Sequence, residues 1–450
     1  MKVVKFGGSS LASAEQIKKV FQIIKSDADR RLVIVSAPGK RFKDDEKVTD
    51  MLIALGEQAL NNQDYSAQFQ HVLERYAQMV TDLQIEEPVL EDIKENLHTL
   101  VTSDMSQPSY FMDALKASGE DNNAKLIAAY FRKEGLPAVY VNPKDAGLFV
   151  SDEPGNANVL PISYENLKKL RNYKEIVVFP GFFGYTLDGK LVTFSRGGSD
   201  ITGAIVAKGV RALLYENFTD VDGICVANPN IVKNAIQLEH LTYREMRELS
   251  YAGFSVVHDE ALQPAFSEGI PVRVKNTNNP TAAGTLITKS VPKSVHTVSG
   301  IASMPSFTTV YIEKYLMNRE VGFWSRALKI CDELDISYEY MPSGIDDITI
   351  LIRDNQLSPE KSAILLQRLK YELNADEVRF KDPICLVMIV GEGMVESVGT
   401  LARAANAFAN ANVNVQMVNQ GSSEVSIIFG IAPQDEHRAV RALYKEFFEQ

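Results

Sequence analysis

Cysteines and long apolar runs are scarce in this sequence of 450 residues. Its three cysteines, Cys225, Cys331 and Cys385, lie far apart and form no CxxC pair. This excludes a disulfide framework and a thiolate zinc site, and it is typical of cytosolic proteins. No run approaches the roughly 18 apolar residues of a membrane-spanning helix, and the N-terminal residues lack a signal-peptide core. We therefore expect a cytoplasmic protein without a membrane partner.

Positive charge is also in deficit. The 47 Lys and Arg residues are outnumbered by 58 Asp and Glu residues, which gives a formal net charge of −11. Such a surface opposes non-specific binding to nucleic acid and anionic lipid, so we expect neither as a partner. The six histidines are scattered without an HExxH or HxH pair, and the sequence predicts no protein-held metal site. An anionic ligand must then be bound by local basic groups and backbone amides.

The common nucleotide-binding signatures are missing as well. The sequence contains no Walker A motif, no GxGxxG, and no HRD or DFG triplet. Its composition is otherwise near the globular average, with 45% hydrophobic and 23% charged residues. The length corresponds to two or three domains. The sequence thus predicts a folded multidomain protein in which none of these motifs binds a phosphate.

Short apolar runs alternate with helical patterns from residue 1 to about 290. The runs are continuous in Val, Ile, Leu and Phe, which indicates strands covered on both faces of an α/β layered sheet. The predicted strands are 2–6, 31–37, 137–142, 175–186, 190–195, 211–220 and 271–276. The predicted helices are 14–26, 47–60, 64–82, 88–101, 122–134, 201–209 and 243–250.

A second pattern begins after residues 280–300, a segment rich in Pro, Gly, Ser and Thr that we take as a domain boundary. Beyond it the sequence repeats with an offset of 77, which aligns Val321-Gly322 with Val398-Gly399. The agreement in identity and periodicity favours a duplicated module. Each copy is predicted to contain a strand, a helix that begins after a glycine, and two further strands. The helices are 323–334 and 400–411, the strands that follow them are 336–341 and 413–418, and the last strands are 347–352 and 424–429.

Two glycine-rich loops each join a strand to a helix. In KFGGSS, Lys5 carries a full positive charge, while Gly7 and Gly8 let backbone amides approach an anion. In SRGGSDITGA, Arg196 can contact a carboxylate or phosphate through two hydrogen bonds, and Asp200 lies where a helix cap is expected. Two such loops suggest two anionic substrates. A simple tight turn for the first loop, and capping alone for Asp200, are the alternatives.

Together with FTDVDG, these loops and the duplicated module resemble the aspartate kinase (aspartokinase) family over nearly the whole chain. The resemblance implies an α/β fold: an amino-acid-kinase-like αβα sandwich (1–290) followed by two ACT-like, ferredoxin-like α+β modules (298–375 and 380–450). It also implies phosphorylation of the L-aspartate side-chain carboxylate by MgATP to 4-phospho-L-aspartate, the first step toward lysine, threonine and methionine. A carboxylate is already nucleophilic, so this reaction needs charge neutralisation and in-line placement rather than a general base.

The resemblance assigns roles to the residues at matching positions. Lys5 would neutralise the transferring phosphate, and Asp200 would hold Lys5. Glu120 would bind the ammonium of the substrate. The ATP and phosphate site would comprise Lys5, Gly7, Gly8, Ser9, Thr219 and Asp220. The aspartate site would comprise Ser36, Thr49, Glu120, Phe182, Arg196, Gly197, Gly198 and Ser199.

The chain departs from the family pattern at two cationic positions that are expected to contact ATP. Asn230 stands where many members have arginine, and Ser255 stands where they have lysine. Either neighbouring cations such as Lys233 and Lys275 replace them, or the affinity for the nucleotide is reduced. For Thr219-Asp220, an Asx-turn without a ligand is the alternative.

The first repeat matches an effector site of lysine-sensitive relatives. The resemblance therefore implies feedback inhibition by lysine, with Glu339 pairing with the ligand ammonium, and a dimer or tetramer formed through the ACT-like modules. A module that only dimerises is the alternative. For the whole chain, the alternatives are a kinase of another acceptor, such as glutamate or a uridylate, and a catalytically inactive ACT-type sensor. The matching residues are Met317, Glu320, Gly322, Phe323, Ser337, Tyr338 and Glu339.

Overall fold

The computed structural model describes the chain except residues 87, 196, 255–259, 291–296 and 450, and it leaves out the side chain of residue 260. Contacts divide the described residues into two units. Unit 1 is drawn from Met1–Ile224, Gln237–Met246 and Ser255–Val291, and unit 2 from Cys225–Ile236, Arg247–Phe254 and Pro292–Gln450. Two short segments within the predicted first domain therefore group with the C-terminal part of the chain.

The strands of unit 1 form one large sheet and one small antiparallel pair. Its strands are β1 (Lys2–Phe6), β2 (Arg30–Val35), β3 (Ala138–Tyr140), β4 (Ile176–Pro180), β5 (Phe183–Tyr185), β6 (Leu191–Thr193), β7 (Leu214–Thr219), β8 (His240–Thr242), β9 (Val272–Asn276) and β10 (Thr285–Thr288). Among the described residues, the large sheet has the order β3-β4-β2-β1-β7-β9-β10-β8, and β5 pairs with β6. In the large sheet only β9 and β10 pair antiparallel.

Helices cover both faces of this sheet. They are α1 (Ala14–Lys25), α2 (Val48–Leu60), α3 (Ser66–Leu83), α4 (Val89–Val101), α5 (Pro108–Lys133), α6 (Pro143–Ala146), α7 (Ile162–Leu167), α8 (Gly198–Val210) and α10 (Gln263–Glu268), while α9 (Tyr243–Tyr251) has residues in both units. Val4 and Phe6 of β1 pack in the core formed with α1 to α5. Since side chains alternate along a strand, Lys5 points to the opposite face, where α8 packs. The αβα sandwich implied by the family resemblance is confirmed.

Each predicted strand of unit 1 overlaps an observed strand, although β2 begins at Arg30, one residue before its predicted range. The range 175–186 contains both β4 and β5. The prediction missed the short strands β8 and β10. It also began α5 at residue 122, whereas the helix starts at Pro108. Most of α5 from Phe111 to Phe131 is buried, so the helix lacks the one-sided apolar stripe that makes a surface helix visible in a sequence.

Unit 2 contains a second sheet and two pairs of helices, one pair in each repeat. Its strands are β11 (Gly300–Glu313), β12 (Asp347–Arg353), β13 (Glu377–Val390), β14 (Val415–Asn419) and β15 (Ser426–Ile431), and its helices are α11 (Phe323–Glu333), α12 (Pro359–Glu372), α13 (Thr400–Asn410) and α14 (Glu436–Phe448). The order is β12-β11-β13-β15-β14. The long strands β11 and β13 are paired along most of their length, so each contributes to both repeats.

The two repeats keep the predicted offset of 77 in their helices. Helices α11 and α13 begin at Phe323 and Thr400, and α12 and α14 begin at Pro359 and Glu436. The strand predicted at 336–341 is wrong. That segment forms one isolated bridge with β12, between Tyr340 and Leu351, and Pro342 beside it has no N–H to continue a ladder.

Among the described helices, none is long and apolar enough to cross a membrane.

Candidate active site

A cavity of about 220 Å³ lies at the carboxyl ends of β1, β2 and β4. Ligands of α/β sheets bind at this edge, because the loops that follow parallel strands meet there. The lining comes from β1, from the loops after β1, β2, β4 and β6, and from the helices α2, α5 and α8. All the lining residues belong to the predicted set: Lys5, Gly7, Gly8, Ser36, Thr49, Glu120, Phe182, Gly197, Gly198, Ser199 and Asp200.

Three of the predicted residues that the structure describes are not among those that line the cavity. Ser9 follows Gly8 but is exposed. Thr219 is the last residue of β7, the neighbour of β1, and Asp220 follows it. The Thr219 hydroxyl donates to Asp220 Oδ1 at 3.0 Å. Arg196 lies outside the described residues.

Lys5 forms an ion pair with Asp200 beside the cavity. The Lys5 Nζ to Asp200 Oδ1 distance is 2.6 Å, and only 7% of Lys5 is exposed. Asn217 donates from Nδ2 to the same carboxylate oxygen at 2.8 Å. Asp200 is therefore not a simple cap: Gly197 precedes α8 as its cap, and the Asp200 carboxylate orients the lysine. A Cβ added at Gly7 would lie 3.5 Å from Nζ, so a side chain there would fill the space beside the ammonium.

The sequence analysis missed Asn217. In the β1–β7 register it lies directly opposite Lys5, and the side chains of opposed residues point to the same face of a sheet. Asn217 lies in the predicted strand 211–220, but its role becomes visible only when the pairing of β7 with β1 is known.

The loops after β1 and β2 touch through their backbones. Gly39 N–H donates to Gly8 C=O at 2.9 Å. A Cβ at Gly39 would lie 2.5 Å from the Gly8 carbonyl carbon, so only glycine fits there. This contact fixes the loop that contains Gly7 and Gly8 against the loop that follows Ser36.

A buried arginine holds the same two loops from the side of α3. Arg75 donates to Asp45 Oδ2 at 2.9 Å, to Ala12 C=O at 2.9 Å and to Gly39 C=O at 2.7 Å. Arg41 also donates three hydrogen bonds of 2.8 Å to Asp45, one from its backbone N–H and two from its side chain. Hydrogen bonds from Arg41, and then from Arg75, hold the pKa of Asp45 far below its ordinary value. The ion pair therefore persists at any pH at which the protein would be assayed.

Replacing Arg75 by methionine should destabilise unit 1 by about 3–5 kcal/mol, because the Asp45 carboxylate and two carbonyls lose a buried partner. Replacing Arg41, whose side chain is 40% exposed, should cost no more than about 1 kcal/mol. Urea unfolding of the two variants measures both free energies. Equal losses would contradict the role given to Arg75.

Glu120 contributes a buried carboxylate to the cavity. It is 6% exposed, and its Oε2 has no hydrogen-bond partner among the described residues. Burial raises the pKa of Glu120 to about 8, against the opposing effects of backbone hydrogen bonds, the Lys5 charge and the Ser199 hydroxyl. A buried acid with an unpaired oxygen is suited to bind a cationic group of a ligand.

The segment after β4 is packed tightly against the first turn of α8. Phe182 adopts a φ of 77°, which is unusual for a bulky residue. A Cβ at Gly198 would lie 2.5 Å from Phe182 Cδ2, and one at Gly181 would lie 2.6 Å from Ser199 Oγ. The positions of Phe182 and Ser199 therefore depend on each other.

The proposed replacements for the missing ATP-side cations are not in the cavity lining. Lys275 is partly buried on β9 opposite Phe218, on the face of the sheet away from Lys5. Burial lowers the pKa of Lys275. Lys233 and Asn230 are exposed in unit 2, and residues 255–259 lie outside the described part of the chain.

The predicted effector residues lie around the start of α11 and after its end. Met317 and Phe323 are buried, and Gly322 precedes α11 with a φ of 77°. Ser337 and Tyr338 are exposed. Two acids already have cationic partners: Glu320 pairs with Lys314 at 2.6 Å and Arg326 at 2.9 Å, and Glu339 pairs with Arg353 at 2.5 Å.

Among the described residues, no group of three or more His, Cys, Asp or Glu side chains is arranged to hold a metal ion.

Comparison with known proteins shows the same architecture. The profile of the amino acid kinase family matches residues 1–276, and that of an ACT domain matches residues 387–447. The chain is 56% identical to aspartokinase 3 of Bacillus subtilis (strain 168), over 100% of this chain and 99% of that protein. It is 30% identical to chloroplastic aspartokinase 2 of Arabidopsis thaliana, over 99% of this chain and 84% of that one.

Solved structures agree with this relationship. Aspartate kinase of Clostridium acetobutylicum superposes with a TM-score of 0.88 at 37% identity, over 99% of this chain and 100% of that chain. E. coli aspartokinase III, in complex with aspartate and ADP, superposes with a TM-score of 0.79 at 23% identity over the whole of both chains. The latter supports the fold alone. This relationship argues against the two alternatives, an inactive sensor and a kinase of another acceptor. The chain belongs to the aspartokinases, the amino acid kinases that use ATP to phosphorylate aspartate.

Proposed function

We propose that the cavity of unit 1 is the place where L-aspartate meets the transferring phosphate of ATP. The observation that carries this proposal is the Lys5–Asp200 ion pair at the carboxyl edge of the sheet, next to the buried carboxylate of Glu120. One side of the cavity thus offers the Lys5 ammonium and backbone amides, and the other offers the Glu120 carboxyl group, which can pair with a cation once it is ionised. Aspartate carries one ammonium and two carboxylates, so its site needs both a carboxylate and cationic or N–H groups.

Lys5 and the amides of Gly7 and Gly8 would bind the phosphate and neutralise the charge that develops on it during transfer. Asp200 and Asn217 would hold the ammonium of Lys5 in place. The exposed Ser9 would contact the phosphates of ATP beside this loop. No side chain needs to remove a proton, because the attacking carboxylate of aspartate is already ionised.

The residues at the end of β7 fit the metal-bound nucleotide. Mg²⁺ takes oxygen ligands and commonly uses one or two carboxylates together with substrate phosphates. Asp220 is exposed at the carboxyl end of β7, and Thr219 beside it supplies a hydroxyl. We assign these two residues to the ATP–Mg²⁺ site, where the ion would supply further charge neutralisation.

Glu120 would bind the ammonium of L-aspartate through its unpaired oxygen. The carboxylates of the substrate would be bound by hydroxyls and backbone amides, and Phe182 would close the site against the substrate. The residues assigned to carboxylate binding are Ser36, Thr49, Arg196, Gly197, Gly198 and Ser199.

A hydroxylamine-trapping assay with the purified protein tests this function. The acyl phosphate formed on aspartate reacts to aspartyl hydroxamate, and we expect its formation to require both ATP and aspartate. Glutamate is the comparison acceptor in the same assay. Uridylate is compared by the release of ADP, because its phosphorylated product is a diphosphate that hydroxylamine does not trap. If no aspartyl hydroxamate forms, or if another acceptor is preferred, the assignment of the cavity to aspartate is wrong.

We also propose that lysine inhibits the enzyme through the first ACT-like module. E. coli aspartokinase III has been crystallised with lysine and aspartate in a T-state, which is the precedent. Glu339 has a second oxygen, Oε2, with no partner among the described residues, and this oxygen would receive the ammonium of lysine. Inhibition requires lysine to bind the inactive state more tightly than the active state.

The Glu339→Gln variant should need at least about tenfold more lysine for half-inhibition, because the ligand ammonium loses a charged partner. The control is Glu333→Gln on α11, whose acid is exposed and paired with Arg368 at 2.5 Å. Its half-inhibition should be unchanged. Inhibition of the parent protein by threonine but not lysine would overturn the choice of ligand, and insensitivity to both would overturn the mode of regulation.

We further propose the domain ranges 1–290, 298–375 and 380–450, a cytoplasmic location, and a homodimer or tetramer formed through the ACT-like modules. Val321 and Val398, equivalent residues of the two repeats, are 94% and 102% exposed. Trp324 and Leu401, which are also equivalent, are 47% and 42% exposed, so an apolar patch recurs in both repeats and favours an interface there. Light scattering of the purified protein tests the assembly, and a monomer at all concentrations would contradict it.

A further inference from the structure

The side chain of Thr202 links two segments that line the cavity. Thr202 lies in α8 and is fully buried. Its hydroxyl accepts a hydrogen bond from Phe182 N–H at 3.0 Å and donates one to Gly198 C=O at 2.9 Å. One hydroxyl thus ties the segment after β4 to the first turn of α8.

The link fixes a residue with an unfavourable backbone conformation. A bulky side chain persists at a φ of 77° only where its surroundings hold it there. The C=O of Phe182 accepts from Phe194 N–H at 2.8 Å, and its N–H is held by Thr202. Both polar backbone groups of Phe182 are therefore engaged, and Thr202 supplies one of the two restraints.

The bond to Gly198 alone would have no functional meaning, because threonine in a helix commonly donates to the carbonyl four residues earlier. The bond from Phe182 is different in kind. It joins residues 20 positions apart. Because the Thr202 hydroxyl takes part in both hydrogen bonds, it connects Phe182 directly to Gly198. Since Phe182 is packed against Gly198, and Gly181 against Ser199, a shift of Phe182 must also displace Ser199.

We propose that Thr202 is a positioning residue for aspartate binding, which keeps Phe182 and Ser199 where they contact the substrate. This rests on the assignment of Phe182 and Ser199 to the aspartate site made above. Without the hydroxyl, Phe182 N–H loses its partner, whereas Gly198 C=O keeps its place in the helical hydrogen-bond pattern of α8. Phe182 can then relax toward a negative φ. Aspartate binding then weakens. The loop of Lys5 and the end of β7, which we assign to ATP, make neither of these two hydrogen bonds.

The test compares Thr202→Val, which keeps the shape and removes the hydroxyl, with Thr202→Ser, which keeps the hydroxyl. Steady-state hydroxamate kinetics give the KM for aspartate, the KM for ATP and kcat. We expect the valine variant to raise the KM for aspartate about tenfold, while the KM for ATP stays within about twofold of the parent value. The serine variant should restore the KM for aspartate to within about twofold of the parent value.

Thr285 provides a matched control within unit 1. It is fully buried, and its hydroxyl also bridges two backbone groups, accepting from Ile224 N–H at 2.8 Å and donating to Leu238 C=O at 2.6 Å. Thr285→Val removes the same chemistry away from the aspartate site. A general loss of stability would affect both valine variants, whereas only Thr202→Val should change the KM for aspartate.

An unchanged KM for aspartate in Thr202→Val, or an equal rise in Thr285→Val, overturns the proposal. If the valine variant does not fold, Thr202→Cys replaces it, because its thiol takes the place of the hydroxyl but is only a weak hydrogen-bond donor and acceptor. Cysteine with the kinetics of serine then overturns the proposal. A separate outcome concerns the site itself: if Phe182→Ala and Ser199→Ala leave the KM for aspartate unchanged, the aspartate-site assignment fails first.

Discussion

Lys5→Ala should lower kcat at least about 1000-fold, because the charge that develops on the transferring phosphate loses its positioned cation. The protein should remain folded. Asp200 keeps the hydrogen bond from Asn217 and is partly open to the cavity, so its carboxylate is not left without a partner. Hydroxamate kinetics measure the loss of turnover, and circular dichroism measures the fold.

Lys2→Ala is the matched control for this variant. Lys2 lies in the same strand and also forms an ion pair, with its Nζ 2.5 Å from Asp27 Oδ2. It is at the other end of β1, away from the cavity, so its removal should leave kcat unchanged. A Lys5→Ala enzyme with more than about a tenth of the parent activity would remove Lys5 from phosphate binding, since a single positioned donor is worth far more than tenfold.

Glu120→Gln should raise the KM for aspartate roughly 100-fold, because a buried charge pair with the substrate ammonium is lost. Asp121→Asn is the control. Asp121 is the next residue of α5 and is paired with Lys125 at 2.8 Å, but it is not among the residues that line the cavity. Equal effects of the two substitutions would show that the helix, rather than the Glu120 carboxylate, determines the affinity.

The raised pKa of Glu120 adds a pH dependence to this prediction. With a pKa of about 8, most of the free enzyme carries a neutral Glu120 at neutral pH, whereas the substrate ammonium requires the ionised form. The KM for aspartate should therefore fall about tenfold per pH unit as the pH rises toward 8 and then level off. Glu120→Gln should abolish this slope, and a parent enzyme without the slope would contradict the ammonium assignment.

The same shift has a consequence for stability. A carboxyl group whose folded-state pKa lies above its ordinary value favours folding while it is neutral. Its contribution is fully present below the ordinary pKa and is lost as the pH rises through about 8. Thermal unfolding of the parent protein should accordingly become easier across this range, and less so for Glu120→Gln.

Local patterns predicted much of the fold and most of the candidate site. The conformations of the apolar strands and the Gly-rich loops depend mainly on their own residues, so β1, β7 and the start of α8 could be predicted from the local sequence. The repeat was equally visible, because α11 and α13 both follow a glycine with positive φ, Gly322 and Gly399.

The remaining residues depend on contacts between distant parts of the chain. Asn217 meets Asp200 only because β7 pairs with β1. Arg75 reaches Gly39 across 36 positions, and Thr202 reaches Phe182 across 20. None of these side chains has a local signature, since a buried arginine, asparagine or threonine on a helix or strand follows the same pattern whatever it contacts. Tertiary packing determines these contacts, and the hydrophobic periodicity of a sequence does not reveal which distant residues pack together.

A crystal structure of the protein with L-aspartate and a non-hydrolysable ATP analogue tests the central claim most directly. We predict the substrate ammonium within about 3.2 Å of Glu120 and the terminal phosphate within the same distance of Lys5 Nζ. The side-chain carboxylate of aspartate should lie between them, facing the phosphate. Aspartate bound outside this cavity, or a terminal phosphate remote from Lys5, would contradict the account.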